Sequence, residues 1–329
     1  MERHAQKLDA EYAASTMMQR LQSYFLRHKF GLTLALLPSL LFGAALAIIA
    51  KVHGYAASPT VITAVLLYSL LSFFALAVGA ANHLLMVSKR WNIIGFARST
   101  MLRTVLALKI IGLVCAIQSA LMVSMFMLAA KLPPRGVFLM PFAEIWLTTF
   151  IAIYAASALG IFIVTVTNSK RVALVAGVVV FLVQALFTGA PFPVKKPLLS
   201  AISYASICRW SLESYVATAN FIKIATDEGL RKIRGNMQKG YEVVRPLDRA
   251  IGGAIERLKN TIQNSETAQS MFGDAVEGVA DNVLEDRGLS TGPPKHRIAR
   301  AWAMQAILAF CFSVSAFGTL MAKSGEGVE

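Results

Sequence analysis

The chain alternates long apolar runs with short polar turns over most of its length. Stretches of about 20 apolar residues have the length that an α-helix needs to cross a hydrocarbon core of roughly 30 Å. The pattern predicts an all-α integral membrane protein with six such spans. They are expected at Phe30–Ala50, Thr60–Val87, Val105–Ala130, Val137–Val166, Val172–Thr188 and Ala301–Met321.

Acidic residues are nearly absent from the part of the chain that holds the first five spans. Between Glu11 and Glu213 the only carboxylate is Glu144. A soluble domain of that size needs charges of both signs on its surface, whereas a chain dissolved in lipid does not, because each buried carboxylate is costly there. With 56% hydrophobic and 15% charged residues, the composition also belongs to the membrane class.

The basic residues predict the orientation of the spans. Twelve Lys and Arg residues fall in the first thirty residues, the second and fourth connections and the C-terminal tail, against three in the opposite short loops. The positive-inside rule then places both termini in the cytoplasm, in a cytoplasmic or plasma membrane. The net charge of +14 is therefore attributed to basic cytoplasmic segments that face anionic lipid, and not to a nucleic-acid-binding surface. Lys109, near the inner end of its span, is expected to extend toward the membrane surface.

The spans and the polar segments around them divide the chain into five regions. Residues 1–29 fit a cytoplasmic basic amphipathic helix on the membrane, although an ordinary polar lead-in helix is an equal alternative. Residues 30–190 hold spans one to five, and residues 191–221 form a semi-apolar outer segment. Residues 222–299 carry apolar positions every three or four residues and predict a helical extracytoplasmic insert, packed either internally or on a partner. Residues 300–329 complete the sixth span and a short cytoplasmic tail.

Two stretches are more specific than general hydropathy. Ser157-Ala158-Leu159-Gly160 stands near the end of the fourth span. After the fifth come the turn Gly189-Ala190-Pro191-Phe192-Pro193 and then Ser203-Tyr204-Ala205-Ser206-Ile207-Cys208-Arg209-Trp210-Ser211-Leu212-Glu213. In this order they resemble the permease domain of type-2, G-subfamily-like ATP-binding cassette exporters. That family has a small-residue helix before a short fifth span, followed by re-entrant helices outside the last span.

The resemblance implies a subunit that depends on partners. The chain has no phosphate-binding loop of the G-x-x-x-x-G-K-[ST] type, so the resemblance implies a separate nucleotide-binding ATPase subunit that binds ATP and Mg. It also implies a homodimer or heterodimer of permeases. The connection after the second span would couple to the ATPase, and the segment after the fifth would form an outer gate. The coupling candidates are Lys89, Arg90, Trp91, Arg98 and Arg103, and the gate candidates are Gly189, Pro191, Arg209, Trp210 and Glu213.

Polar residues inside the spans are the candidates for a substrate pathway. Glu144 is expected on the outer side of the fourth span, where it contacts cargo, reaches the headgroups or pairs with Arg135. Asn82, Gln118 and Ser119 are further pathway candidates, although hydrogen bonding between helices is the commoner use of such groups. Arg209 and Glu213, four residues apart, either pair on a gate helix or belong to an interfacial amphipathic helix.

Chemistry within the chain itself is not expected. The five histidines are scattered without metal-ligand spacing, and Glu144 alone cannot complete a Ser-His-Asp set. We therefore expect no enzyme, no metal site and no cofactor bound by this chain. The resemblance implies a permease subunit that exports an amphipathic or lipid-like substrate. The alternative is a non-transporting membrane scaffold whose insert recruits partners.

Overall fold

The computed structural model describes residues 29–53, 61–88, 100–130, 136–167, 169–187, 203–219 and 293–325. Within these ranges the chain forms seven helices and no strand, which confirms the all-α class. The helices are α1 (Lys29–Val52), α2 (Val61–Val87), α3 (Thr100–Met127), α4 (Pro141–Val166), α5 (Lys170–Leu186), α6 (Ile207–Thr218) and α7 (Pro294–Gly325). The amphipathic N-terminal segment and almost all of the predicted insert lie outside the described residues.

Five of the helices are long and apolar enough to cross a membrane. Their candidate spans are Thr33–Val52, Thr63–Val87, Leu108–Met127, Pro141–Val166 and Pro294–Ala322. These match five of the six predicted spans and support a multi-pass membrane protein. The helix at the remaining predicted span, α5, has 17 residues and a length of about 26 Å, which is less than a hydrocarbon core of roughly 30 Å. A sixth span through α5 therefore stays a prediction.

The α4 helix lies at the centre of the bundle. It packs against α2, α3 and α7, and also contacts α5 and α6. In its most apolar stretch 67% of the residues are buried, against 17% in α7 and 28% in α1. Because α4 is surrounded by the other helices, polar side chains that it carries meet protein partners rather than lipid.

Small residues let α2 and α4 approach closely. A Cβ added to Gly79 of α2 would lie 2.3 Å from the Cβ of Ala156, and one added to Gly160 of α4 would lie 2.9 Å from the Cβ of His83. Contacts this short leave no room for larger side chains, so backbone proximity provides the packing that the hydrophobic effect cannot provide between helices in lipid. The small residues Gly79, Ala156 and Gly160 thus set the spacing of the two helices.

Several helix boundaries depart from the hydropathy, and two of the differences have a clear cause. The fourth helix begins at Pro141 rather than Val137, because proline suits the first helical position and disfavours helical backbone at the residue before it, Met140, which is extended. The last helix begins at Pro294, seven residues before the predicted Ala301. Its first two turns are polar and carry Lys295, Arg297 and Arg300, so an apolar window missed them.

Candidate functional site

The short helix α6 is fixed at its start to the end of α5. The side chain of Ser206, the N-cap residue, accepts a hydrogen bond from the backbone N–H of Arg209 and donates one of 2.9 Å to the carbonyl of Gln184. Gln184 in turn accepts from the N–H of Ile207 at 2.7 Å and donates to the carbonyl of Ala205 at 3.0 Å. Two of these bonds satisfy backbone N–H groups that a helix start leaves open, those of Ile207 and Arg209. The other two satisfy the carbonyls of Gln184 and Ala205.

All twelve residues of α6 are buried. The helix contacts α2, α4 and α7, and hydroxyl groups join it to two of them. Ser72 of α2 donates to the carbonyl of Cys208 at 2.8 Å. Thr148 and Thr149 of α4 lie 2.8 Å from the Ser214 hydroxyl and 2.7 Å from the Tyr215 hydroxyl. Burial on every face is the opposite of an interfacial amphipathic helix, and Trp210 and Tyr215 are enclosed by protein.

Glu213 forms an ion pair with α7. Its Oε1 atom lies 2.5 Å from a guanidinium nitrogen of Arg300, whose side chain is 47% exposed while that of Glu213 is 0% exposed. Within the described part of the chain, the second carboxylate oxygen has no hydrogen-bond partner. A buried carboxylate is costly unless it is paired, so this contact with α7 holds the charge of α6 in place.

Two arginines flank the ring of Trp210. The guanidinium carbons of Arg209 and Arg300 lie 5.9 and 5.6 Å from its centre, and that of Arg209 lies 4.5 Å from the ring of Tyr204. Burial lowers the pKa of Arg209, while Tyr204 and Glu213 act against the shift. Positive charge over aromatic faces is stabilising when water is excluded. Sequence reasoning named Arg209, Trp210 and Glu213 but missed Arg300.

Glu144 lies in the first turn of α4 and folds back over the preceding residues. Its Oε1 atom accepts hydrogen bonds from the backbone N–H groups of Phe138 and, at 2.8 Å, Leu139. A Cβ on Gly136 would lie 3.0 Å from the Glu144 carboxylate carbon, so glycine gives the carboxylate its space. The side chain is fully buried and its Oε2 atom has no partner among the described residues. Glu144 therefore organises the turn before α4, and its other predicted partner, Arg135, lies outside the described residues.

Asn82 and Gln118 form a reciprocal amide pair that ties four helices together. Asn82 donates to the Gln118 side chain at 3.0 Å and Gln118 donates back at 2.9 Å. Asn82 also donates to Ser157 of α4 at 3.0 Å, and Gln118 to the carbonyl of Ala35 in α1 at 2.8 Å. All four amide hydrogens of the pair are thus used. The hydroxyl of Ser119 instead bonds to the carbonyl of Ala116 within its own helix.

His83 joins α2 to α4 and α5. Its two ring nitrogens lie 3.2 Å from the carbonyl oxygen of Gly160 and 3.1 Å from that of Ala173. A Cβ on Gly177 of α5 would lie 2.1 Å from Nε2, so the ring fits only because position 177 is glycine. The sequence alone could not assign these carbonyl partners to His83.

The other predicted residues cannot be placed in this geometry. The coupling candidates Lys89, Arg90, Trp91 and Arg98 and the gate candidates Gly189 and Pro191 lie outside the described residues. Arg103 lies in α3, but its side chain is not described. Among the residues that the structure describes, no group of three or more His, Cys, Asp or Glu side chains could hold a metal ion.

No family model and no curated protein matches this chain. The link to the exporter family therefore rests on the residues quoted above. The structure shows that α6 is a buried helix that packs on α4 and α7 through hydroxyl contacts and an ion pair. Separately, the amide pair Asn82 and Gln118 links α1, α2, α3 and α4.

Proposed function

We propose that the chain is the permease subunit of an ABC-type exporter that moves an amphipathic or lipid-like substrate, powered by a separate ATPase subunit. The observation that carries the proposal is α6. This twelve-residue helix is too short to span a membrane, yet it is buried on every side among α2, α4 and α7. Irregular segments at membrane depth need such protein surroundings, and the resemblance implies a re-entrant helix at this place in the chain.

The arrangement around His83 supports a route for coupling. His83 lies five residues before Ser88, where the connection with the candidate coupling residues begins. A force that the ATPase applies to this connection would reach α2 first and pass through the His83 contacts to α4 and α5. In the proposed cycle, ATPase closure rocks the helices and the α6 region acts as the outer valve.

The outward face of α5 supports the expected dimer. Only Ala173, Gly177 and Phe181 are buried in this helix, one residue per turn along a single stripe. Large apolar side chains point away from the bundle, and Val175, Val179 and Leu182 are more than half exposed. We propose that a second permease packs here, so that the two bundles enclose the substrate path between them.

Co-purification with an ATPase tests the proposal. The tagged full chain is expected to elute from detergent with a nucleotide-binding protein that has no spans of its own, and the mixture should hydrolyse ATP. Reversing the charge of the coupling candidates with Arg90→Glu and Arg98→Glu should abolish the association. The matched variant Lys51→Glu should retain it, because Lys51 lies in the last turn of α1, on the other side of the membrane in the proposed topology. Elution without any nucleotide-binding protein, together with loss of cellular function on deletion of the insert, would favour the scaffold instead.

Topology provides an independent test. With both termini in the cytoplasm, cysteines placed in the connection 88–103 should react only after the cells are opened, and cysteines in the segment 222–292 should react in intact cells. Labelling in the reverse pattern would exclude both the proposed orientation and the assignment of the coupling connection.

A further inference from the structure

An apolar groove runs along the side of the bundle between α4 and α7. Its volume is about 490 Å³, within the range of ligand sites. Phe150, Ile151 and Tyr154 of α4 form one wall, and Phe310, Val314 and Phe317 of α7 form the other. Phe310 is 69% exposed, so the groove opens to the outside of the bundle, on helices that are both candidate spans.

The length of the groove corresponds to one leaflet. On α7 its lining extends from Ala306 to Phe317, a rise of about 16 Å at 1.5 Å per residue. This is close to half of a hydrocarbon core of roughly 30 Å. Apart from Ala306, the α7 residues that line the groove lie in the half of the α7 span nearer its C-terminal end, and Leu108, at the beginning of the α3 span, also lines the groove. Most of the groove therefore lies on the side of the bundle where the α3 span begins and the α7 span ends.

A basic residue directly follows the α3 residue that lines the groove. Lys109 directly follows Leu108 and its side chain is exposed. A lysine near the end of a span extends its stem along apolar surface and places its ammonium group at the headgroups. An apolar slot one leaflet long with an ammonium group beside one end matches an anionic phospholipid, with one acyl chain in the slot and its phosphate near Lys109.

The groove has one polar feature inside. Ser313 lines the groove, and its hydroxyl donates to the carbonyl of Ala309 within α7 at 2.7 Å. This hydroxyl is thereby satisfied within its own helix, and most of the remaining lining is apolar and suits a hydrocarbon chain. The ring of Tyr154 is also stacked on Phe150, with 6.0 Å between centres, which keeps this wall rigid.

We propose that this groove is a binding site for an anionic membrane phospholipid, separate from the substrate path. The site is specified by two residues with different roles. Ala306, exposed at the mouth, leaves room for the acyl chain, and Lys109 selects the anionic headgroup.

Native mass spectrometry of the detergent-purified full chain tests the site, with phosphatidylglycerol and phosphatidylcholine of identical acyl chains as probes. Wild type is expected to retain one phosphatidylglycerol per chain. Ala306→Phe should fill the groove and lose this lipid, while the matched variant Ala303→Phe, exposed one turn away on α7 and outside the lining, should keep it. Lys109→Gln should lower the preference for phosphatidylglycerol about fivefold, the factor that one basic residue near an anionic surface provides, and Lys51→Gln should not.

Several outcomes would overturn the proposal. Equal lipid retention by Ala306→Phe and wild type would exclude the groove as the site, and displacement of phosphatidylglycerol by a sterol would exclude an acyl chain as its occupant. Unchanged headgroup preference in Lys109→Gln would exclude the anionic assignment. A shift of oligomeric mass in Ala306→Phe without lipid loss would identify a second copy as the occupant. Val314→Phe on the same wall replaces Ala306→Phe if that variant does not elute as a folded protein. Because the readout is lipid retention, it is independent of transport.

Discussion

Removing Arg300 is expected to destabilise the protein more than removing its partner Glu213. The Glu213 carboxylate is fully buried, whereas the Arg300 side chain is 47% exposed. Arg300→Gln therefore strands a buried charge, at a cost of roughly 3–5 kcal/mol for a broken buried pair. Arg209 is near enough to attract Glu213, which places the expected loss at the lower end, about 3 kcal/mol.

The reverse substitution leaves a charge that water can reach. In Glu213→Gln the amide oxygen can still accept a hydrogen bond from Arg300, and the exposed part of the guanidinium is hydrated. The expected loss is about 1.5 kcal/mol, the lower end of the range for a hydrogen bond to a charged group. The double variant Arg300→Met with Glu213→Leu removes both charges and should cost less than Arg300→Gln alone, since replacing a buried pair by apolar side chains is often neutral.

Reversible unfolding in mixed detergent, followed by far-UV circular dichroism, gives the free energy of unfolding for each variant. A double-mutant cycle that combines the same two single substitutions, Arg300→Gln and Glu213→Gln, isolates the coupling between the two positions. Equal losses for the two single variants, or a double variant whose loss is the sum of the single ones, would refute the argument that burial of Glu213 sets the cost.

Three further predictions concern the helix contacts. Gly79→Ala should cost about 1–3 kcal/mol, because its methyl group would overlap Ala156. The control Gly318→Ala, with no atom within 4 Å of the new methyl group, should be neutral or stabilise the helix by up to about 1 kcal/mol. A larger loss of stability at position 318 than at position 79 in the same unfolding assay would contradict the close approach of α2 and α4. In a cycle of Asn82→Leu and Gln118→Leu, the coupling should be about 0.6–1.7 kcal/mol, and additive losses would exclude the amide pair. Glu144→Ala should cost about 1–3 kcal/mol, because it leaves two backbone N–H groups without their acceptor. Glu144→Gln should cost less. Equal losses for the two variants would argue against the role of Glu144 as acceptor for these N–H groups.

Hydropathy was sufficient to predict where five spans lie but less so where their helices begin. An apolar run marks only the part of a helix that lies in the hydrocarbon core, so it cannot show polar helical turns that extend beyond the core. The start of α7 at Pro294 was missed for this reason. The start of α4 was misplaced because Phe138 and Leu139 are apolar yet belong to a turn that Glu144 holds through its side chain.

The candidate site could be predicted only where its contacts are local. Spacing along the chain drew attention to Arg209, Trp210 and Glu213, and the structure does place them on one buried helix. Spacing could not identify Arg300, which reaches Glu213 from 87 residues further along the chain. Nor could it show that Glu144 turns back on residues that precede its own helix. A signal was available in the basic residues before the sixth span, since a cation there needs an anionic partner.

The distance in sequence between Glu213 and Arg300 has a consequence for biosynthesis. At a translation rate of roughly 5–20 residues per second, the 87 intervening residues delay the arrival of Arg300 at the translocon by about 4–17 s. During that interval the carboxylate of α6 cannot yet have its cation, so the short helix must wait in a hydrated setting, or with a chaperone, until the last helix is inserted. Nascent chains halted before Pro294 should therefore be targets for membrane quality control, with α1 to α5 already inserted.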